Sequence, residues 1–278
     1  MFQHGARRQA RGASPLVLAG GLLISVGCHA ADPSASADQD YINPDRPGIA
    51  DGSNVVGTGR FQAEIGLQYE YHRDALGHLQ LMFLPTLLRL GLASAWELRL
   101  EGNNATWLRS NEAGQITQTD GLSPQSIGVK YHFVDTAGAS RPSVGAILRV
   151  FPPSGTASFH THRTTADLRL AVDWDFAPDW SLNPNFGVAG YEDGGGHAYT
   201  PALFAMTLNY NPSPVLNLFV DTGMQSSEQD RGRAPVVVDG GVAYIVGHNV
   251  QLDASIGWGA TGITTPRPFL AVGVSERF

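Results

Sequence analysis

From Thr58 onward, apolar and polar residues alternate with period two. In the first run Phe61, Ala63, Ile65, Leu67, Tyr69 and Tyr71 share one face, and Arg60, Gln62, Glu64, Gln68, Glu70 and His72 share the other. A strand sends successive side chains to opposite faces, whereas helical spacing would scatter these polar residues around an axis. The pattern predicts a strand here and recurs along the chain. After a strand near Gln80 to Leu92, Trp96, Leu98 and Leu100 oppose Glu97, Arg99 and Glu101. Ile127, Val129, Tyr131 and Phe133 then oppose Ser126, Lys130 and His132, and Val144, Ala146, Leu148 and Val150 oppose Ser143, Gly145 and Arg149. Leu168, Leu170, Val172, Trp174 and Phe176 oppose Asp167, Arg169, Asp173 and Asp175. Weaker copies run from Trp180 to Tyr191 and from Tyr199 to Tyr210. Three more follow around Leu218, Val238 and Leu252, and the last carries Leu270, Val272, Val274 and Phe278 against Gly273, Ser275 and Arg277. The pattern predicts twelve amphipathic strands.

A soluble sandwich or barrel turns such apolar faces inward, whereas an outer-membrane barrel turns them to lipid and encloses the polar ones. Three features favour the second. Connectors near Ala93, Asp135, Ala177, Asn211 and Gly247 are mostly short, while those near Arg73, Arg109, Pro153, Glu192, Ser227 and Thr261 are generally longer. Short periplasmic turns and long outer loops are the habit of bacterial barrels. Aromatics gather at strand ends: Trp96, Phe133, Phe176, Trp180, Tyr210, Tyr244 and Phe278 at one rim, Tyr69, Tyr71, Trp107, Tyr199 and Trp258 at the other. Such rings settle at headgroup level. The last residue, Phe278, ends an amphipathic strand, the form of signal that the barrel assembly machinery reads. The fold expected is an all-β, closed antiparallel up-and-down transmembrane barrel of twelve strands over residues 58–278.

The N-terminus has another grammar. Arg7, Arg8 and Arg11 precede the apolar run from Pro15 to Gly27 and the small exit Cys28-His29-Ala30-Ala31, which predicts a secretory leader over residues 1–30. A lipoprotein in which Cys28 is acylated is the rival reading. Residues 31–57 are rich in turn formers and predict an N-terminal periplasmic arm or plug. Charged residues are only 15% of the chain, with 33 glycines and a single cysteine, which disfavours a helical bundle and excludes a disulfide framework. A net charge of −7 disfavours nucleic acid, which needs a concentrated basic face.

On this parity the inner wall carries both signs. Arg60, Arg89, Arg99, Lys130, Arg149, Arg169 and Arg277 stand beside Glu64, Glu70, Glu97, Glu101, Asp167, Asp173, Asp175, Asp221, Asp239 and Asp253. Lipid-facing charges would cost about 2–4 kcal/mol at the midplane. Isolated buried charges are expensive, so these should form ion-pair ladders that either stiffen the lumen or line a path.

The stretch Asp45-Arg46-Pro47-Gly48-Ile49-Ala50-Asp51-Gly52-Ser53-Asn54-Val55-Val56-Gly57, with Gly59-Arg60-Phe61-Gln62-Ala63-Glu64-Ile65-Gly66 after it, resembles the opening of a bacterial outer-membrane family described as MetA-pathway of phenol degradation. Leu84-Pro85-Thr86-Leu87-Leu88-Arg89 and Trp96-Glu97-Leu98-Arg99 resemble its second and third strands, and Thr58 departs from the family's Gly-Pro-Gly. The resemblance implies a porin-like barrel in the bacterial outer membrane, associated with uptake of aromatic compounds. It assigns Asp45, Arg46, Arg60, Glu64, Arg89, Glu97 and Arg99 to lumen or plug roles. Inner-wall parity adds Glu101, Arg149 and Arg169. The arm around Asp45 is expected to fold into the periplasmic mouth and meet the inner-wall charges.

Other motifs carry less. His160 and His162 lack a clear third metal ligand, and no phosphate-binding helix follows Gly194-Gly195-Gly196. A barrel hydrolase would need a serine activated by a histidine, and His132, His160, His162 and His197 sit beside no recognisable serine motif. The expectation is a monomeric, non-enzymatic channel for passive uptake of small molecules, hydrophobic or aromatic compounds among them. It binds membrane lipid and a small solute, with no catalytic residues, metal or cofactor. A lipid-modifying hydrolase and a structural barrel without transport are the alternatives.

Overall fold

A computed structural model describes residues 40–73, 77–193, 196–230, 232–262 and 265–278; the leader expected over 1–30 lies outside them. The strands are β1 (Phe61–Arg73), β2 (Gly77–Ala93), β3 (Trp96–Glu112), β4 (Gln115–Gly121), β5 (Gln125–Val134), β6 (Ser143–Phe151) and β7 (Thr165–Ala177). There follow β8 (Trp180–Glu192), β9 (Ala198–Tyr199), β10 (Ala202–Ser213), β11 (Leu216–Gln225), β12 (Val236–Gly247), β13 (Val250–Thr261) and β14 (Phe269–Arg277). Every ladder is antiparallel, and apart from β3–β5 and β8–β10, which pass over β4 and β9, and the closing pair, each joins neighbours in sequence. β14 returns to β1, closing a twelve-stranded barrel to which β4 and β9 are additions. Closure is what lipid demands of a sheet, because an edge would leave backbone groups unpaired in hydrocarbon.

β4 and β5 follow one register along β3: Thr106 faces Gly121 and Gly102 faces Gln125. They are one strand interrupted at Leu122-Ser123-Pro124, opposite the β3 bulge where Ala105 takes a φ of 44°. Thr106 Oγ1 and Ser123 Oγ, 2.8 Å apart, hold the two irregularities together.

The faces sort as lipid requires. Leu252 is 49% exposed and its neighbour Asp253 is 6% exposed; Leu100 and Leu168 point out while Arg99 and Asp167 are buried. At the rim of short turns Trp96 packs tilted against Tyr131 at 4.6 Å and Trp180 against Tyr210 at 4.8 Å, and Phe133, Phe176, Tyr244 and Phe278 are exposed there. This is one interfacial belt. Trp107 and Trp258 are exposed towards the other end, but Tyr199 is not part of that belt. It is buried with Ala189, Tyr191 and Leu203, because β9 folds back on β8 and turns its ring inward. Two connector expectations also shift. The connector after β5 spans residues 135–142 on the short-turn side, and only 74–76 separate β1 from β2, because those strands run on past the barrel wall.

The inner wall is less uniformly polar than the alternation predicts. Leu81, Phe83 and Leu87 on β2, Ile147 on β6, Phe219 on β11, Val237 on β12 and Phe269 on β14 all turn inward and are buried. Small residues and these apolar ones leave room for the segment that fills the lumen.

Candidate functional site

Residues 40–57 adopt no strand or helix, yet most are buried inside the barrel. A peptide without a strand partner still carries backbone donors that must find acceptors. The wall supplies them as side chains. Asp45 N–H and Arg46 N–H donate to Glu64 Oε1 and Oε2 at 3.1 and 2.9 Å. Ile49 N–H donates to Asp221 at 2.8 Å, Asp51 N–H to Asn185 at 2.7 Å, Ser53 N–H to Asp173 at 2.8 Å and Val56 N–H to Glu97 at 3.0 Å. These anchors sit on β1, β11, β8, β7 and β3, so the arm crosses the lumen and returns. It starts at the short-turn rim, where Ile42 N–H donates to His248 O and Tyr41 stacks on the His248 ring. Its end rejoins the same rim at Gly57, and Gly52 N–H closes the loop on Asp45 Oδ1.

The arm's own charges meet the ladder. Asp45 lies between Arg99, with which it makes a close ion pair, and Lys130 at 2.7 Å. Arg89 reaches Glu64 at 3.1 Å, Glu97 at 2.8 Å and the carbonyl of Asn54 at 3.0 Å. Arg99 bonds also to Asp51, Glu97 and Glu101. Arg149 joins Glu101 at 2.9 Å to Asp167 at 3.0 Å, and Arg169 links Asp167 to Asp51. Arg46 lies along the wall and reaches Asp253 on β13 with two bonds, at 2.9 and 3.3 Å. The network is continuous and buried, the arrangement in which ion pairs are compensated rather than orphaned.

Burial by itself would raise the Asp45 carboxyl. The Arg89, Lys130 and Arg99 cations outweigh it and hold the group well below the usual carboxylate range.

Close approach fixes two wall positions as glycine. A Cβ on Gly66 would lie 2.5 Å from Arg46 Nη1, and one on Gly145 would lie 2.5 Å from Ser53 O. Each neighbour is held in place, Arg46 by Asp253 and Ser53 by Asp173.

Of the sequence candidates, the structure brings Asp45, Arg46, Glu64, Arg89, Glu97, Arg99, Glu101, Arg149 and Arg169 into one network. Arg60 is a correction: it precedes β1 at the rim, its side chain is 45% exposed, and it pairs with Asp40 at 2.5 Å. Parity counted it as wall, but the strand begins one residue later. Asp51 and Ser53 are the site residues that periodicity could not find. The density of turn formers around them and their place in the family-like stretch from Asp45 to Gly57 were the signals.

The wall of β8, β10 and β11 grips differently. Asn217 donates to Asn209 at 3.1 Å, Asn209 to Asn183 at 2.5 Å, and Asn183 to Asp173, a neutral amide ladder ending on one carboxylate. Beyond the arm, Leu81 and Phe83 pack with Leu79 and Leu108, while Ile49 and Ala50 of the arm pack with Ala205, Val237 and Phe269.

No curated protein matches the chain. Solved structures do. An outer membrane channel from Pseudomonas putida F1 is 14% identical with a TM-score of 0.63, covering 84% of this chain and 99% of its own. The translocator domain of the autotransporter NalP from Neisseria meningitidis is 12% identical with a TM-score of 0.52, covering 81% and 90%. The KdgM porin in complex with disordered oligogalacturonate is 11% identical with a TM-score of 0.50, covering 79% and 99%. At these identities the likeness is one of fold, the outer-membrane β-barrel. The family model described as "Putative MetA-pathway of phenol degradation" matches residues 44–278, arm and barrel together. The chain belongs to that family.

Proposed function

We propose that this protein is an outer-membrane channel for passive uptake of small molecules, with the arm of residues 40–57 as the plug that sets its conductance. One observation carries the reading: a non-strand peptide crosses the lumen, held by side chains rather than by strand pairing. Side-chain anchors can be released one by one without opening the barrel wall, so a plug of this kind can move while the scaffold stays closed. The apolar inner-wall clusters at Leu81, Phe83 and Phe269 favour solutes with a hydrophobic or aromatic body, in keeping with the association of the family and with the names of channels and porins among the similar folds. In this reading Asp45, Arg46, Glu64, Arg89, Glu97, Arg99, Glu101, Arg149 and Arg169 are plug-holding residues.

The reading includes export by a leader over 1–30, assembly through the C-terminal strand ending at Phe278, and action as a monomer in membrane lipid. It also takes the protein to be a conduit and not an enzyme. A barrel hydrolase would need an imidazole on a serine hydroxyl. Among the described residues, His72, His132, His162 and His197 face Glu70, Asp135, Glu192 and Asp193 instead.

The test is single-channel recording in planar bilayers of the full protein and of a variant lacking residues 40–57. Large, steady conductance in the deletion and small or flickering conductance in the parent support the plug. Equal conductance would reject it, and silence in both, with no solute uptake into liposomes, would reject the channel.

A further inference from the structure

Nearly every buried carboxylate whose bonds are described above has a cation or a crowd of donors. Glu64, Glu97, Glu101, Asp167, Asp51, Asp45 and Asp253 each touch an arginine. Asp173 has no such cation, but it accepts from Ser53 N–H, Ser53 Oγ, Ser143 Oγ and Asn183.

Asp221 on β11 and Asp239 on β12 break this rule. They are direct cross-strand partners on the lumen face and only 3% and 7% exposed. Among the described residues neither makes an ion pair. Asp221 Oδ2 accepts the Ile49 N–H, but the Oδ1 atoms of both carboxylates have no hydrogen-bond partner. Two further oxygens share that condition. Thr207, the register partner of Asp221 on β10, is fully buried with Oγ1 unpartnered. Ser255 on β13 lies diagonal to Asp239 and is buried with Oγ unpartnered. The surroundings are otherwise apolar, with Ile49, Ala205, Val237 and Phe269 clustered there, and the nearby Asp253 is occupied by Arg46.

Facing side chains on an antiparallel pair hold their Cβ atoms about 4.5–5.5 Å apart, and like charges so placed destabilise the sheet. Burying two anions without a counter-charge costs far more. The donor set is all oxygen, two carboxylates and two hydroxyls with no nitrogen or sulfur, which suits a hard cation with flexible coordination. We propose that Asp221, Asp239, Thr207 and Ser255 form a binding site for a calcium-class divalent cation in the lumen wall beneath the arm. The charges balance, and the same Asp221 carboxylate holds Ile49 N–H, so the ion and the seat of the arm are thermodynamically linked.

The experiment uses the full, folded protein in detergent, freed of metal by chelator and titrated with calcium chloride in a calorimeter, with melting followed in parallel. One site per barrel is expected, with a rise in melting temperature on adding calcium. Asp239→Asn should weaken binding roughly tenfold or more, about 1.4 kcal/mol. Glu276→Gln, an exposed rim change, should leave it intact, and the heat-modifiable gel shift of each variant certifies folding. Calcium without heat or thermal shift in the folded parent overturns the site, as does equal binding by Asp239→Asn. If calcium is silent while Asp221→Asn or Asp239→Asn alone raises the melting temperature, the two carboxylates share a proton, and the cation site is likewise overturned. None of these results depends on conductance, so the channel reading stands or falls separately.

Discussion

The wall from β1 to β7 and the wall from β8 to β13 hold the same eighteen-residue peptide by different chemistry. On the first, Arg89, Arg99, Lys130 and Arg169 grip arm carboxylates within an ionic lattice that Arg149 completes between Glu101 and Asp167. On the second, Asn185 and Asp221 take up single backbone N–H groups and Asp253 makes one separate pair with Arg46, backed by the Asn183–Asn209–Asn217 amide chain and apolar contacts. Charged groups buried in a lattice depend on one another, so one removal strands several. Acceptors that each hold one group fail singly. The ionic half should therefore decide whether the arm stays in, and the amide half how it is oriented.

Arg99→Ala should have the largest effect. It takes one cation from each of Asp45, Asp51, Glu97 and Glu101 at once, and breaking a buried pair typically costs about 3–5 kcal/mol. Lower unfolding stability together with raised conductance is expected, and a parent-like value of either would show that the lattice does not hold the arm. Asn209→Ala should be milder, about 1–3 kcal/mol, because it leaves Asn183 and Asn217 each short of one partner. Its conductance should stay near that of the parent, and a large rise would erase the distinction between the halves.

Acid should act through the ionic half. The folded Asp45 carboxyl is held below its ordinary range, so its contribution is complete above that range and falls away only as pH drops through the folded value. Protease protection of the arm should thus be constant from pH 7 to about 5 and decline only in strong acid, below the usual aspartate value of about 3.9. Loss of protection already near pH 6 would place the controlling group elsewhere. Arg60→Ala should matter least, within about 1 kcal/mol, since its pair with Asp40 is exposed and screened. A larger loss would mean that the rim contributes to holding the arm.

Strand parity made the barrel legible because lipid enforces it: a residue of the wrong polarity on either face is costly at each of many positions. That is why Glu97, Arg99, Glu101, Arg149 and Arg169 could be placed from spacing. Parity misled where the enforcing medium changed. Arg60 lies outside the strand, and Tyr199 belongs to a fold-back. Leu81 and Phe83 face inward where lumen contents, not water, cover them. The same holds for Ile147 and Val237, which parity turns inward although they are apolar.

The sequence by itself determined a closed cylinder with apolar residues outside and charges within, since period-two alternation has one stable answer in a bilayer. Only the tertiary structure decided which charges meet and which wall residues seat the arm along the axis. Asp45 and Lys130, or Arg46 and Asp253, are brought together by closure of the ring and by a peptide with no periodicity, and such a segment is positioned by acceptors on distant strands rather than by its own pattern.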